Sequence, residues 1–468
     1  MRTLDDVVDD LGLGFGQYIV VLLGGELYSG LIKTLVTSCS VAFASDLGFS
    51  ATERGWMVST LFLGNFAGNL SSGAISDCCG RRFTILVGYL VGVSALLASL
   101  LTSDFTGQLA CRTGYGLAAG LMGPTSWTLL GELAPSKRRL WLHSLSHLTW
   151  FLGAIFMLSL IHFEDPSMQH VPWHTFTAYT FSITIVCMMM AMHFIVESPS
   201  HLCLQRRRND AISVLETLQR RNGVHVDVQN WELRLTEVYP SVQQKWSYMA
   251  LFDRTSLFTT MTLSLCTFTL NFSGYGMMYA GPIIFAKSKL GVPSVTMMVS
   301  LFCGLLGIAS GVPASGASQS RPRFIGYILI ARATCVSLLL CGLWLGEVNI
   351  VTVVIALVGM SGKTFLDSIA YMLVYLYAIE VRPTESRASG SAFALGVGRL
   401  GAVLAPIVFE MLKTPTAFVA SVFVLGLLCA SLVFALPLET KDRQLGEIAD
   451  EVSAIRKSPG TRTLHEAP

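Results

Sequence analysis

Twelve apolar runs, each long enough to cross a lipid bilayer, dominate this chain. They lie near residues 17–43, 55–76, 82–102, 107–131, 140–162, 175–196, 256–285, 293–314, 324–345, 350–378, 389–412 and 416–437. A membrane helix needs about 20 consecutive, mostly apolar residues. In hydrocarbon every backbone N–H and C=O must find its partner within the chain, so runs of this length fold as helices. The expected class is an all-α integral membrane protein with twelve transmembrane helices. Composition agrees: charged residues make up 13% of 468 and the mean hydropathy is +0.58, against about 25% charged residues in soluble domains. The start is acidic (Asp5, Asp6, Asp9, Asp10) and lacks a basic n-region and a small-residue cleavage site. The first run is therefore expected to remain as a membrane helix.

The loops give an orientation. With both termini in the cytoplasm, seventeen Lys and Arg residues fall in inner loops and four (Arg54, Lys287, Lys289, Lys413) in outer ones. Basic residues favour the cytoplasmic side, and only an even number of spans keeps this alternation. The polar stretch 197–255 divides the chain into six-helix bundles at 1–196 and 256–440, followed by a cytoplasmic tail at 441–468. Within the cytoplasmic linker, Ala211, Ile212, Val214, Leu215 and Leu218 have helical spacing, which predicts a short amphipathic helix. The eleven cysteines mostly occupy apolar runs and show no zinc spacing. No HExxH, GxSxG or Walker-type loop is present, so neither an enzyme nor a metal or cofactor site is expected, and nothing points to nucleic acid.

Between the second and third runs stands Gly73-Ala74-Ile75-Ser76-Asp77-Cys78-Cys79-Gly80-Arg81-Arg82. In the fourth run, Arg112, Gly116 and Gly120 recur every four residues, placing an Arg and a GxxxG face on one stripe. After the sixth run comes Glu197-Ser198-Pro199-Ser200-His201-Leu202, and after the twelfth Leu436-Pro437-Leu438-Glu439-Thr440-Lys441. These patches resemble the signature loop and helix-4 motif of the major facilitator superfamily, and the "ESPRWL" and "PET" boxes of its sugar porters and organic-ion transporters. Ser200 stands where that box has Arg, and the PET-like box carries one extra residue. The run Tyr377 to Gly390 through Gly398, Arg399, Gly401, Ala402 and Pro406, with Leu13-Gly14-Phe15-Gly16-Gln17, is similar to the SVOP-like branch: synaptic vesicle two-related proteins and bacterial nicotinate-type carriers. A large cysteine-rich first outer loop, typical of animal organic-ion carriers, is missing.

The resemblance implies two pseudo-symmetric six-helix bundles around a midplane site, with helices 1, 4, 7 and 10 lining the cavity. It implies a link between Arg112 and proton coupling. It implies an inner gate in which Asp77, Gly80, Arg81 and Arg82 work against Glu132, Glu197 and the helix 10–11 loop. Glu380, Arg387 and Glu439 are the matching positions of the second half. Where the branch usually has acidic residues in mid-helix 1, this chain has Gly30 and Lys33.

Ionisable residues inside membrane runs are functional candidates by default. Here they are Glu26, Lys33, Arg112, His147, Lys363, Asp367 and Arg399. Glu26 and Lys33 sit seven residues apart, about 10.5 Å along a helix, too far for a direct bridge. Lys363 and Asp367 are four apart and can pair. With four Lys or Arg against two carboxylates, a small carboxylate would offset the excess. The expected substrate wall comprises Lys33, Lys363 and Arg399 with Trp150, Asn271, Tyr275, Tyr279 and Tyr371, the aromatic rings receiving a ring-bearing ligand. Glu26, or less readily Asp367, carries a coupling proton. The chain reads as a monomeric secondary active or facilitative transporter of a small organic ion, in the plasma membrane or a vesicle membrane. An organic-cation or sugar carrier, and a non-transporting SVOP-like receptor or interaction protein, are the alternatives.

Overall fold

Two consecutive glycines break the first apolar run. Gly25 has φ +105°, a conformation that costs little only without a Cβ, and a Cβ there would lie 2.4 Å from Met122. The break separates α2 (Phe15–Leu23) from α3 (Glu26–Ser38) and puts Glu26 in the first turn of α3. The computed structural model describes residues 4–135, 138–228, 254–317, 320–345, 349–381, 384–412 and 414–436.

All regular structure among these residues is helical. Besides α2 and α3, the first half contains α1 (Leu4–Leu11), α4 (Ser40–Asp46), α5 (Ala51–Cys79), α6 (Arg81–Leu101), α7 (Phe105–Leu133), α8 (Arg139–Glu164) and α9 (Trp173–Phe194). Two short helices follow, α10 (Pro199–Leu204) and α11 (Arg208–Asn222). The second half is α12 (Arg254–Ser288), α13 (Pro293–Ala317), α14 (Arg321–Leu345), α15 (Ile350–Glu380), α16 (Thr384–Leu412) and α17 (Pro415–Phe434).

Counting α2–α3 as one span, twelve long helices match the twelve predicted runs. Ends differ by about a turn at most at α5, which starts four residues before its run and stops three after it, while α15 starts where predicted and stops two residues later, because hydropathy marks the stretch in lipid and not the end of the hydrogen-bond ladder. Capping sets the true starts. Ser50 accepts from the amide of Glu53 at the head of α5, and Asn349 from that of Thr352 at the head of α15. Eight spans are apolar enough to be membrane crossings on composition alone. The other four, α5, α7, α12 and α16, carry Asn65, Asn69, Arg112, Asn271, Arg399 and Glu410 inward. Large apolar side chains such as Leu101, Phe163, Trp344 and Ile350 are exposed, as lipid-facing residues are.

Packing repeats between the halves. The pairs α3–α8, α5–α7 and α6–α9 have counterparts six spans later in α12–α16, α13–α15 and α14–α17. The halves meet along α5–α16 and α8–α13, also an exchange-symmetric pair. The GxxxG stripe has the expected use: a Cβ on Gly116 would lie 1.8 Å from the Leu61 carbonyl, so α5 and α7 touch backbone to backbone. The predicted linker helix is α11, with Ala211, Leu215 and Leu218 buried. It docks on the start of α2, where Asn222 Oδ1 accepts from the Gly16 amide at 3.2 Å and Asn222 Nδ2 donates to the Leu11 carbonyl at 3.2 Å.

Candidate functional site

Between the halves lies a cavity of about 570 Å³. Its lining runs from Glu26 and Lys33 to His143 and Tyr375, toward the end of the molecule that bears the Arg-rich loops. At the opposite end the halves are joined. Arg54 of α5 pairs with Glu410 of α16 at 2.7 Å and donates through Nε to the Tyr279 hydroxyl at 3.1 Å. His162 Nδ1 lies 2.8 Å from the Ser294 hydroxyl, which donates to the Pro166 carbonyl at 2.9 Å.

Two charged clusters face the cavity. In the first, Lys33 Nζ donates to the Tyr275 hydroxyl at 3.4 Å and stands 5.1 Å from the ring centre. Arg399 Nη1 donates to Asn271 Oδ1 at 3.3 Å and to the same hydroxyl at 3.4 Å. Asn69, with its amide turned to satisfy both ends, accepts from Arg399 Nε at 3.2 Å and donates to the Gly120 carbonyl at 3.1 Å. Glu26 lies in the fields of Lys33 and Arg399, and no ion pair joins it to either; for Lys33 this is what the seven-residue spacing predicted. The cluster thus draws on both halves: Lys33 and Asn69 from the first, Asn271, Tyr275 and Arg399 from the second.

In the second cluster Lys363 Nζ pairs with Asp367 Oδ2 at 2.6 Å and donates to the Ser273 carbonyl at 3.3 Å. Asp367 also receives Arg332 Nε from α14. An aromatic wall completes the cavity. The Trp127 and His147 rings lie 5.3 Å apart, Trp127 and Tyr375 6.2 Å, and His147 and Tyr371 6.2 Å. Trp150 lines it too, and its indole N–H has no partner.

Of the predicted substrate wall, Lys33, Trp150, Asn271, Tyr275, Lys363, Tyr371 and Arg399 come together, with Glu26 and Asp367 beside them. Tyr279 does not. It follows Tyr275 by one helical turn, about 6 Å, which carries it past the cavity into the Arg54–Glu410 contact. Arg112 is outside as well. It precedes the cavity residue Ala119 by about 10 Å of helix, and its guanidinium packs 4.4 Å from the Phe43 ring and 5.0 Å from the Tyr115 ring. Arg332 and Glu410 escaped the sequence reading although each is a charge within an apolar run. Asn65 and Asn69 carried no such signal.

Among the described residues, the predicted gate residues Asp77, Arg81, Glu132 and Glu197 form one network contained in the first half. Arg81 pairs with Glu132 at 3.0 Å and Asp77 at 3.3 Å. Glu197 accepts from the amides of Arg81 at 2.8 Å and Arg82 at 3.2 Å, so it caps the positive end of α6. Arg82 reaches the Met192 carbonyl at 2.6 Å. Gly80 has φ +103°, and a Cβ there would lie 2.3 Å from Glu197 Oε2. His201 Nδ1 meets Arg81 Nη1 at 2.6 Å. Burial, and then the Arg81 charge, push this imidazole below its ordinary range. The side chains of Glu380 and Arg387, and Glu439 altogether, lie outside the described residues.

A family model described as "Sugar (and other) transporter" matches residues 25–451. The chain belongs to this family. It is a transporter of the major facilitator superfamily and an integral, multi-pass membrane protein. It is 25% identical to the niacin transporter NiaP of Acinetobacter baylyi, over 94% of this chain and 98% of that protein. It is 26% identical to organic cation/carnitine transporter 7 of Arabidopsis thaliana, over 98% of each. It is 25% identical to the synaptic vesicle 2-related protein of Pongo abelii, over 95% of this chain and 82% of the other. Among solved structures, a partially occluded, inward open form of the xylose transporter XylE from E. coli superposes with a TM-score of 0.72 at 17% identity, covering 92% of this chain and 99% of that one. The transporter fold is thereby fixed, and the chemistry of the cavity is this chain's own.

Proposed function

We propose that this transporter carries a small organic anion of the carboxylate class by alternating access. The observation that carries this reading is the charge balance in the cavity wall and directly behind it. Lys33 and Arg399 face one carboxylate, Glu26, while Lys363 and Arg332 share one carboxylate, Asp367. Each cluster holds one more cation than anion, and charge inside a membrane protein is costly unless paired. A carboxylate between Lys33 and Arg399 pairs the excess, and the ring of an aromatic acid packs on Trp127, His147 and Tyr371. The similarity to a niacin transporter fits an acid of this size.

The Arg-rich end faces the cytoplasm, so the cavity opens inward and the Arg54–Glu410 contact closes the outside. Glu26, at the head of α3 and in reach of the site, is the proton carrier. Asp367 is already held by two cations. The carrier acts as a monomer.

The test is uptake into proteoliposomes of nicotinate, tetraethylammonium and xylose, in wild type and Lys33→Ala. The reading expects nicotinate uptake that Lys33→Ala reduces by about tenfold or more, the scale of one lost charge-assisted contact. Uptake of the cation or sugar alone contradicts it. The sugar outcome is pertinent because Asn65, Asn69 and Asn271 also suit hydroxyl groups.

A further inference from the structure

Arg332 is the largest fully buried side chain described, yet it does not line the cavity. It projects from α14 into the second bundle and meets Asp367 Oδ1, while Lys363 meets Oδ2. Its Nη1 and Nη2 have no hydrogen-bond partner. Among the described residues, no second carboxylate pairs with either cation.

Without Arg332, Lys363 and Asp367 would cancel as a neutral i, i+4 pair on α15. With it, two cations share one carboxylate, and one positive charge is left over. Both Lys363 and Asp367 line the cavity, so the surplus is felt there. A guanidinium holds its proton under all physiological conditions, whereas a buried ammonium readily loses one. The charge that Arg332 contributes therefore does not depend on pH.

We infer that Arg332, from outside the cavity, holds the wall at Lys363 net positive and so sets the sign of charge the carrier accepts. It is a positioning residue: it touches Asp367 and acts through it. The consequence for selectivity rests on the anion reading above; the field itself does not.

The test places a cysteine at Thr364, on the cavity wall next to Lys363, in the full-length protein. Its modification by methanethiosulfonates carrying a sulfonate or a trimethylammonium group is followed by mass spectrometry, and the ratio of the two rates reports the local potential. Arg332→Gln is expected to lower the anionic-to-cationic ratio by about tenfold or more, the order for one charge removed from a partly screened interior. Arg332→Lys keeps the ratio, and Arg332→Gln with Asp367→Asn restores it. Should Arg332→Gln fail to fold, Asp367→Asn alone must shift the ratio the opposite way. A ratio unmoved by these changes overturns the inference. So does an Arg332→Gln protein with a lowered ratio that still prefers nicotinate over uncharged nicotinamide as wild type does. A wild-type protein that shows the field but binds no carboxylate supports the field and overturns the anion reading alone.

Discussion

Glu26 and His201 are each set by their immediate surroundings. Glu26 stands at a helix start created by the Gly24–Gly25 break, inside the cavity yet in no ion pair. Glu26→Gln is expected to abolish pH-driven uptake while nicotinate exchange persists; unchanged pH dependence would remove Glu26 from the proton path. His201 acts at the inner network, where burial and Arg81 favour its neutral form. Its folded value lies below its unfolded one, near 6.5. The unfolded chain therefore takes up the proton first as pH falls, and the stabilisation, complete above the unfolded value, is lost through the window beneath it. The melting temperature in detergent should fall on acidification below neutrality, and less steeply in His201→Gln; parallel curves would contradict this. Much at this scale was legible. Lys33, Lys363, Asp367 and Arg399 announced themselves as charges in apolar runs, and Arg332 and Glu410 carried the same mark. Tyr279 was misassigned because a one-turn displacement along α12 separates cavity from closure. Asn69 needed the fold, since an Asn in a membrane helix has no preferred role until its neighbours are known.

Helices pack here by two devices, close backbone contact and pairing across the halves. Gly116→Ala forces a methyl group against the Leu61 carbonyl and should destabilise the α5–α7 contact by about 1–3 kcal/mol, visible as a lower melting temperature; a neutral result would mean the helices part without penalty. The Arg54–Glu410 pair joins α5 to α16 at the closed end. Arg54→Ala should raise access of water-soluble thiol reagents to the cavity from the outer side. The exchanged pair Arg54→Glu with Glu410→Arg should reverse this, with a coupling of about 0.5–3 kcal/mol in a double-mutant cycle. Failure of the exchange to recover closure would leave Tyr279 or the α8–α13 contact as the latch. At this scale the sequence told most about helix number, because hydropathy follows directly from the bilayer. It told less about helix ends, which caps determine. The docking of α11 on α2 was hidden, because it joins Asn222 to Gly16 across some two hundred residues.

The molecule as a whole is two six-helix bundles that share a cavity open at the basic end and closed at the other. Neither the open end nor the closed one was readable from sequence, since both depend on which distant helices meet. The pairing of α5 with α16 and α8 with α13 supplies that information. What the sequence did carry to this scale is an excess of intramembrane cations over carboxylates; the structure takes Arg112 out of that count and adds Arg332 behind the wall, leaving one surplus cation in each of two clusters. The central claim is that this excess selects an anion. It is tested most directly by the melting temperature of the purified protein in mild detergent, across matched small carboxylates, organic cations and sugars. A ligand at a hundred times its dissociation constant adds about 2.7 kcal/mol of stability. The account predicts that carboxylates such as nicotinate raise the melting temperature and that Lys33→Ala abolishes the rise. Stabilisation by cations or sugars alone would contradict it, and would leave Lys33, Lys363 and Arg399 as structural charges.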